Sequence, residues 1–409
     1  MVSTSATSRS ATAAPAGAGQ PRAGKLPPVV YLLGAVAFLM GTTELVVAGL
    51  LPQVSAGLDV SLSQAGLLIT VFAVGMMVGA PVMAMATLRL PPRATLVLAL
   101  LLFAAGHVAA AASSSFVIVL VARFAAAVAT GTFWAVGAVV AAGAAGQAAS
   151  ARAMGVMIGG VTLATVLGVP LGTAGGQLLG WQGPFWLLAV LALIAAVVIA
   201  RQVPAAETRP QTSLAAELAS LRRGRLWVIY LATALVQGSF VAAYSYVSPL
   251  LTDLAGLPEA VVPLAMFGYG AGALAGITFG GRRGDTHPFA TAIPATTLIA
   301  VTLAALTVWG SNGGLAAALI VALGAFGLVA NPILVAQVVR ATGPVNTLAM
   351  SLSTSSFNVG IAGGSWLGGL ALSSSLGAQG PPLVGLVIAV LALAPLALLA
   401  TARRREAVR

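Results

Sequence analysis

Two oppositely charged residues lie inside long apolar segments of this 409-residue chain. Glu44 sits near the middle of the apolar run 29–51, and Arg123 lies inside the run 116–142. A carboxylate in the hydrocarbon layer costs about 2.5–3.5 kcal/mol on insertion scales, so it is rare unless it has a function. The other seven of the eight acidic residues fall in predicted loops, linkers or the C-terminal tail. A single acid and a single base in a membrane bundle indicate ion or proton coupling.

The two charges are predicted to reach a similar depth. Glu44 lies about seven residues before the outer end of the first span, Arg123 lies about seven residues after the outer start of the fourth, and a helix rises about 1.5 Å per residue. Burial favours a neutral carboxyl group, whereas a nearby guanidinium favours the carboxylate. These opposing effects can leave Glu44 poised to bind and release a proton, with Arg123 tuning its charge. The alternative is a permanent buried ion pair, which is often a weak contributor to stability.

The elements that position these residues are predicted to be membrane-spanning helices. With 59% hydrophobic and 7% charged residues, the composition excludes a soluble domain. A crossing helix needs about 20 apolar residues, and the continuous runs exclude a strand barrel. Twelve runs are long enough, at 29–51, 64–86, 94–112, 116–142, 153–179, 183–202, 226–251, 260–281, 288–309, 314–339, 346–371 and 381–401.

The predicted fold is all-α, with twelve transmembrane helices in two pseudo-symmetric six-helix bundles. The longest polar break, 202–225, separates two halves that echo each other weakly in sequence. Such repeats are typical of secondary transporters, whose substrate site lies near the midplane between the halves. The predicted domains are a disordered cytosolic tail (1–28), a first bundle (29–202), a cytosolic linker (203–225), a second bundle (226–401) and a cytosolic tail (402–409).

The distribution of charge predicts the orientation. Eighteen of the 19 Lys and Arg residues lie at one end of the predicted bundle, and the opposite loops contain Asp59, Asp253, Glu259 and no base. By the positive-inside rule, both termini lie in the cytosol and the chain crosses the cytoplasmic membrane many times. The net charge of +11 follows from this topology. It does not indicate nucleic-acid binding, because the bases occupy short loops without interleaved aromatic residues.

Glycines recur at steps of four in several predicted spans. The fifth span contains Gly168, Gly172, Gly176 and Gly180, and series of equal or shorter length occur in the eighth, eleventh and second spans. Steps of four lie along one helix face and allow close approach of backbones. Because every third span is marked in this way, we expect these faces to form a smooth contact along which the two halves rock. Ordinary tight packing is the alternative.

Other residues are candidates for a substrate cavity on the first, fourth, seventh, tenth and eleventh spans. The predicted cavity is apolar and aromatic with few polar anchors, as small-molecule sites usually are. Each aromatic residue taken singly is as well explained by packing or lipid contact, and His107 by a packed, hydrogen-bonded position. The cavity candidates are Met40, Thr130, Trp134, Gln237, Phe240, Tyr244, Asn331 and Asn358.

The sequence contains no catalytic constellation. It has no Cys, no metal-ligand spacing, no nucleophile elbow and no phosphate loop after a strand. We therefore expect neither an enzyme nor a bound cofactor or metal. Without an ATP site, the energy for uphill transport must come from an ion gradient.

Several motifs resemble those of the major facilitator superfamily, in its twelve-helix drug:proton antiporter group. The segment 168–181, with Gly168, Pro170, Gly172 and Gly176, resembles the fifth-helix antiporter motif. The remaining matches are Arg123 with 131–134 for the fourth-helix motif, 279–286 for the loop after the eighth helix and 357–369 for the eleventh helix.

Within that group, Met40-Gly-Thr-Thr-Glu44 followed by Gly49-Leu-Leu-Pro52 is most similar to the chloramphenicol exporters and the related sugar-efflux permeases. The stretch 246–289 is similar to the chloramphenicol branch. The resemblance implies proton-driven export of chloramphenicol-like drugs, with the first-helix acid and the fourth-helix Arg in coupling and helices 1, 4, 7 and 10 around the cavity.

One loop departs from the family pattern. The segment 85–93 lacks the Asp and Gly of the usual motif after the second helix. We therefore expect Asp285 with Arg282, after the eighth helix, to form the cytosolic gate instead.

The sequence thus predicts proton-coupled efflux of small amphipathic drugs, chloramphenicol foremost, by a monomer whose partners are the drug and the lipid bilayer. The first alternative is an exporter of sugars or other small metabolites. An integral-membrane enzyme is a second, which the lack of Cys, clustered His or paired intramembrane acids disfavours.

Overall fold

The computed structural model describes residues 26–86, 90–146, 149–203, 224–342 and 347–408. These residues form helices and connecting turns, with no strand among them. Most of the predicted tail 1–28 and of the predicted linker 203–225 lies outside the described residues, as do residues 87–89 of the loop that departs from the family motif.

Six helices form the first half. They are α1 (Pro28–Leu58), α2 (Leu62–Ala86), α3 (Pro92–Ala112), α4 (Phe116–Ala145), α5 (Ser150–Leu163 and Val169–Leu179, joined by the π-helical turn Ala164–Gly168) and α6 (Gln182–Gln202). α1 continues past its predicted end because Val54 and Leu58 bury their side chains in the core. It stops at Asp59, whose φ of 52° places it in the left-handed region.

Six helices also form the second half. They are α7 (Gly224–Tyr244), α8 (Val262–Gly284), α9 (Pro288–Trp309), α10 (Gly313–Gly327 and Ala330–Thr342, with a break between them), α11 (Thr347–Leu372) and α12 (Gly380–Val408). The predicted seventh span ends earlier than expected. Beyond Tyr244 the chain forms the short segments Val247–Pro249 and Leu250–Leu254, followed by the 3-10 turn Glu259–Val261.

Within the described ranges, eleven helical segments are long and apolar enough to cross a membrane. α11 has 26 residues but is not among them, because Ser, Thr and Gly occupy much of its length. Two of its hydroxyls bond to the neighbouring α2 instead of facing lipid. Ser355 Oγ donates to the carbonyl of Met77 at 3.0 Å, and Ser365 Oγ donates to that of Gly66 at 3.4 Å. An internal position explains how a polar helix serves as the twelfth span.

Both π-helical turns lie next to prolines. Pro170 has no N–H and its ring disturbs the preceding turn. Just before it, the Val169 N–H bonds to the carbonyl of Ala164, five residues back, which is the π pattern. The second turn, Leu250–Leu254, directly follows Pro249. Pro170 therefore widens α5 at the level where it crosses α1.

The largest contacts between the two halves are those of α2 with α11 and of α5 with α8, and α1 adds contacts to Val247–Pro249 and α8. We call the end of the bundle that carries most arginines the basic end, and the opposite end the far end. One apolar core joins the far-end part of the first half to the whole second half. A separate core, toward the basic end, contains residues of the first half alone. The halves are thus closed at the far end and divided by a cleft toward the basic end. The described arginines that define the basic end are Arg93, Arg152, Arg201, Arg225, Arg282, Arg283, Arg340 and Arg403.

Polar contacts add to the closure at the far end. Gln53, near the end of α1, donates from Nε2 to Oε2 of Glu259 at 3.0 Å. Gln177, near the end of α5, donates from Nε2 to the backbone carbonyl of Glu259 at 2.9 Å. Glu259 stands just before α8, so both bonds connect the first half to the second. They are exposed, and each is expected to contribute about 0.5–1.5 kcal/mol at most.

The glycine stripes do not form the contact between the halves, so that prediction was wrong. A Cβ at Gly172 would lie 2.7 Å from Val46 of α1, and one at Gly276 would overlap the Ala325 carbonyl oxygen of α10. The stripes of α11 and α2 likewise face α7 and α4, within the same half. Spacing along a helix identifies a face that allows close approach, but it does not say which neighbour occupies that face.

Candidate functional site

Glu44 lies on a face of α1 that is otherwise buried. Ala37, Met40 and Ala48, which share that face, are each at most 1% exposed, whereas the Glu44 side chain keeps intermediate exposure. Glu44 is also deep within the protein rather than at its outer surface. Its partial exposure at this depth indicates a space inside the bundle next to the carboxyl group.

Arg123 on α4 is buried, with 1% of its surface exposed. Its Nη1 donates to Oγ1 of Thr43 at 2.8 Å, and its Cζ lies 4.2 Å from the ring centroid of Phe72 on α2. The aromatic face attracts the cation and offsets part of its desolvation. Nε and Nη2 are buried without a hydrogen-bond partner in the structure. Such unsatisfied buried donors are unusual and call for a partner in another state or a water.

Glu44 and Arg123 are near enough for their charges to interact. Among the residues that the structure describes, however, the guanidinium donates its hydrogen bond to the neighbouring hydroxyl, Thr43 Oγ1, and not to the carboxylate of Glu44. In this structure the two side chains are therefore not joined by a hydrogen-bonded ion pair. The carboxyl group and one edge of the guanidinium both remain available.

A chain of hydrogen bonds continues beyond Thr43. Its Oγ1 lies 2.7 Å from Nε2 of His107 on α3, and Nδ1 of that ring lies 2.8 Å from the Phe103 carbonyl oxygen. The His107 ring stacks on Phe103 with centroids 4.0 Å apart. Neither Thr43 nor Phe72 was predicted from the sequence to contact Arg123. The adjacency of Thr43 to Glu44 was the available signal, but threonines are common in these spans.

The second half contributes a polar pair and an aromatic contact on α7 and α10. Asn331 Nδ2 lies 3.5 Å from Oε1 of Gln237, so the structure brings these two predicted cavity residues together. Phe240, one turn along α7, packs on Gly327, where a Cβ would lie 3.0 Å from the ring. The absence of a side chain at Gly327 makes room for this aromatic ring.

Tyr244 stacks on Tyr269 of α8, with ring centroids 4.1 Å apart. The Tyr244 hydroxyl oxygen is buried without a hydrogen-bond partner in the structure. Tyr269 is only 2% exposed and was not predicted as a site residue. Its pairing with Tyr244 depends on how α7 and α8 cross, which the sequence does not reveal.

The remaining cavity candidates are dispersed. Met40 is buried in the core of the first half, and the Thr130 hydroxyl is satisfied by the Ala126 carbonyl of its own helix at 2.9 Å. Trp134 is partly exposed and lies edge-on to Phe133. On α11, Asn358 donates to its own helix, while its Oδ1 is buried without a partner.

The predicted antiporter motif supports α1 on the side of α5. A Cβ at Gly168 would overlap Thr42, and one at Gly176 would overlap Leu50. Gly172 meets Val46, so three glycines contact three residues spaced by four along α1. Pro170 is buried in the same segment and widens the helix before it. The motif thus fixes the backbone of α1 on either side of Glu44.

The predicted gate residues Arg282 and Asp285 are exposed at the basic end. Arg340, at the end of α10, donates from Nη2 to the Asp285 backbone carbonyl at 3.2 Å. This bond links α10 to the turn after α8 within the second half. In the part of the chain that the structure describes, no group of three or more His, Asp or Glu residues could hold a metal ion.

Comparisons with known proteins agree with this architecture. A family model described as Major Facilitator Superfamily matches residues 33–308. The chain is 16% identical to a bacterial homologue of the human lysosomal transporter Spinster, solved in an inward-facing and unoccupied conformation. That structure superposes with a TM-score of 0.77 over 91% of this chain and 96% of the other. The likeness confirms the predicted twelve-helix, two-bundle fold.

Relatives in sequence are transporters and a resistance protein. The chain is 34% identical over 370 residues to the chloramphenicol resistance protein of Streptomyces lividans, covering 89% of this chain and 94% of that protein. It is 32% identical to the inner membrane transport protein YdhP of Escherichia coli (strain K12), covering 87% and 92%. The predicted family and the expectation of a transporter rather than an enzyme are confirmed. The chain belongs to the major facilitator superfamily of membrane transporters.

Proposed function

We propose that this transporter exports small amphipathic drugs, chloramphenicol foremost, in exchange for protons. The observation that carries the proposal is the state of Glu44: a single acid deep in the bundle, open to an internal space and next to a guanidinium that it does not pair with. An acid held permanently in an ion pair could not alternate between binding a proton and pairing with the guanidinium. An accessible, unpaired one can bind a proton in one state and return to Arg123 in another.

In the proposed cycle, a proton reaches Glu44 from outside when the transporter opens outward. Protonation removes the attraction between Glu44 and Arg123 and favours release of the drug. Loss of the proton to the cytosol restores the charge and resets the cycle. Coupling of this kind requires that proton and drug bind with different affinity in the two states.

The proposed location is the cytoplasmic membrane, with both termini in the cytosol. Arginines cluster at the basic end, and positive loops stay on the cytosolic side. In that orientation the cleft between the halves opens toward the cytosol, where an exporter collects its substrate. We propose a monomer that needs no cofactor other than the proton gradient and has the drug and the bilayer as its partners.

The proposed substrate rests on the relative from Streptomyces lividans and on the chemistry of the second half. Gln237 and Asn331 offer amide donors and acceptors beside the ring of Phe240. A few polar groups in an apolar, aromatic setting suit an amphipathic drug. An exporter of sugars or other metabolites remains the outcome to be expected if drugs fail.

Drug susceptibility tests the proposal directly. Cells that lack their own exporters are transformed with the wild-type chain or with Glu44→Gln, expressed to the same level. We expect the wild type alone to lower the accumulation of labelled chloramphenicol, and a protonophore to remove the difference. Unchanged susceptibility to every phenicol and amphipathic drug tested would reject drug export, and export that survives the protonophore would reject proton coupling.

A further inference from the structure

We propose that Thr43 and His107 are positioning residues that hold the Arg123 guanidinium by one nitrogen and so keep its opposite edge open for a carboxylate. The effect of this pair on transport rests on the proposed function, whereas its geometry does not. The three residues come from α1, α4 and α3, and all are at most 1% exposed. No relative or motif described above assigns a role to either Thr43 or His107.

One edge of the Arg123 guanidinium remains free of hydrogen bonds. Thr43 occupies Nη1, while Nε and Nη2 are buried and unbonded. Nε and Nη2 share one side of the planar guanidinium, and a carboxylate meets such an edge with two parallel hydrogen bonds. Glu44 follows Thr43 directly on α1 and interacts electrostatically with Arg123. A small movement of α1 could therefore present its carboxylate to an edge that is already oriented.

The hydrogen bonds from Arg123 through Thr43 and His107 all run in one direction. The Phe103 carbonyl can only accept, so Nδ1 of His107 carries the hydrogen of that 2.8 Å bond. In the neutral ring Nε2 then accepts from the Thr43 hydroxyl, which leaves the Thr43 oxygen to accept from Arg123 Nη1. Every donor in this chain points away from Arg123. A second proton on His107 would place two cations on the same hydroxyl oxygen.

Packing against aromatic rings makes the groups that hold Arg123 rigid. The His107 ring stacks on Phe103 and lies 5.7 Å from the ring centroid of Phe185 on α6. The long Arg123 side chain is also pressed against Phe72. A hydroxyl on a packed, β-branched side chain has few rotamers, and the ring that orients it is clamped. The pair thus fixes the guanidinium without neutralising its charge.

Histidine nuclear magnetic resonance tests the geometry, because the chain has just two histidines. The His287→Gln variant, labelled with ¹⁵N-histidine and placed in nanodiscs, gives signals from His107 alone. We expect a neutral ring protonated at Nδ1, and a shift of the Nε2 signal in Thr43→Val. A ring protonated at Nε2, or an Nε2 signal that ignores loss of the hydroxyl, would overturn the proposal.

Transport by matched variants tests the role. Thr43→Val keeps the shape and removes the hydroxyl, Thr43→Ser restores the hydroxyl, and His107→Phe keeps an aromatic ring between its neighbours. We expect Thr43→Val to lower uphill chloramphenicol accumulation in inverted vesicles about tenfold, as expected for loss of a buried bond to a charged group. Thr43→Ser should recover most of it, and drug binding should change less than twofold, that is, by less than about 0.4 kcal/mol.

The outcomes separate this proposal from the function it rests on. If wild-type vesicles show no proton-driven uptake, the proposed function fails, and the resonance experiment still decides whether the pair orients Arg123. If the wild type is coupled but Thr43→Val and Thr43→Ser transport equally well, the positioning role is rejected. His107→Phe in the Thr43→Val background should add little further loss, and a fully additive loss would also contradict a shared role.

Discussion

The two halves of the transporter share an architecture but differ in what they bury. The first half encloses a guanidinium, a threonine and a histidine in one chain of hydrogen bonds beside Glu44. At the described positions of the second half, the buried polar side chains are neutral amides and hydroxyls, with the stacked pair Tyr244 and Tyr269. From this difference we propose a division of labour, in which one half handles charge and the other contacts the substrate.

Physical reasons favour such a division. A charge deep in a membrane protein needs a rigid, specific environment, since each unpaired charged group costs several kcal/mol. Recognition of varied amphipathic molecules needs apolar surface with a few adaptable polar groups. Keeping the two tasks on opposite sides of the cleft lets the drug change without disturbing the charged network. If the tasks are divided in this way, mutations in the two halves should have different effects.

The largest effect is expected at the centre of the charged network. Arg123→Gln removes the cation that faces Glu44, so uphill export should fall to the level of cells without the transporter. Arg123→Lys keeps the charge but loses the planar fork, and we expect about a tenfold loss. Uptake of labelled chloramphenicol into inverted vesicles measures both. Wild-type uptake by Arg123→Gln would break the proposed division.

A glycine stripe in the second half should affect stability rather than coupling. At Gly276 a Cβ would overlap the backbone oxygen of Ala325, so Gly276→Ala must push α8 away from α10. We expect a loss of about 1–3 kcal/mol, the usual cost of overpacking, seen as a lower Tm in detergent. Gly281 on the same helix has open space around it, and Gly281→Ala is the control. Equal Tm values would contradict the packing described here.

A moderate effect is expected for the substrate side. Gln237→Leu removes the amide that faces Asn331, and loss of one hydrogen bond to the drug is worth about 1 kcal/mol. KM for chloramphenicol should rise about fivefold, while the number of protons moved per drug stays the same. Thr233→Val, one turn away and bonded only to its own helix, should change neither. A changed proton ratio in Gln237→Leu would show that the halves do not divide the tasks.

The smallest effect is expected at the far end. Glu259→Ala removes the carboxylate that accepts from Gln53 but keeps the backbone bond from Gln177. Because these groups are exposed, the closed state should lose less than about 1 kcal/mol, and the rate of export should change by about twofold at most. A loss as large as that of Arg123→Gln would show that closure, and not the buried network, limits coupling.

Much of the fold follows from simple features of the sequence. The lengths of the apolar runs located the spans. The Ser-rich α11 is less hydrophobic than the other spans, and hydrogen bonds to α2 accommodate it. The widened turn of α5 is explained by Pro170, but its π geometry was not foreseen. The role of the glycine stripes was misjudged because a face of small residues fits any close neighbour, and those neighbours proved to be helices of the same half, namely α1, α4, α7 and α10.

The site was predictable in composition but not in its contacts. A lone acid and a lone base in apolar spans are rare because placing a charge in the hydrocarbon layer costs free energy. This rarity identified Glu44 and Arg123 as candidates. It did not reveal that Thr43 takes the hydrogen bond, because the rotation of α1 decides which of two adjacent residues faces α4. Similarly, Tyr269 meets Tyr244 through a crossing of helices distant in sequence.

Proton movement coupled to drug movement tests the central claim most directly. Purified wild type and Glu44→Gln are reconstituted into liposomes that enclose a pH-sensitive dye, and a chloramphenicol gradient is imposed without a pH difference. We predict that the wild type moves protons against the direction of drug flow, whereas Glu44→Gln binds the drug and moves no protons. Proton movement by Glu44→Gln at the wild-type ratio would contradict the assignment of Glu44 as the coupling acid.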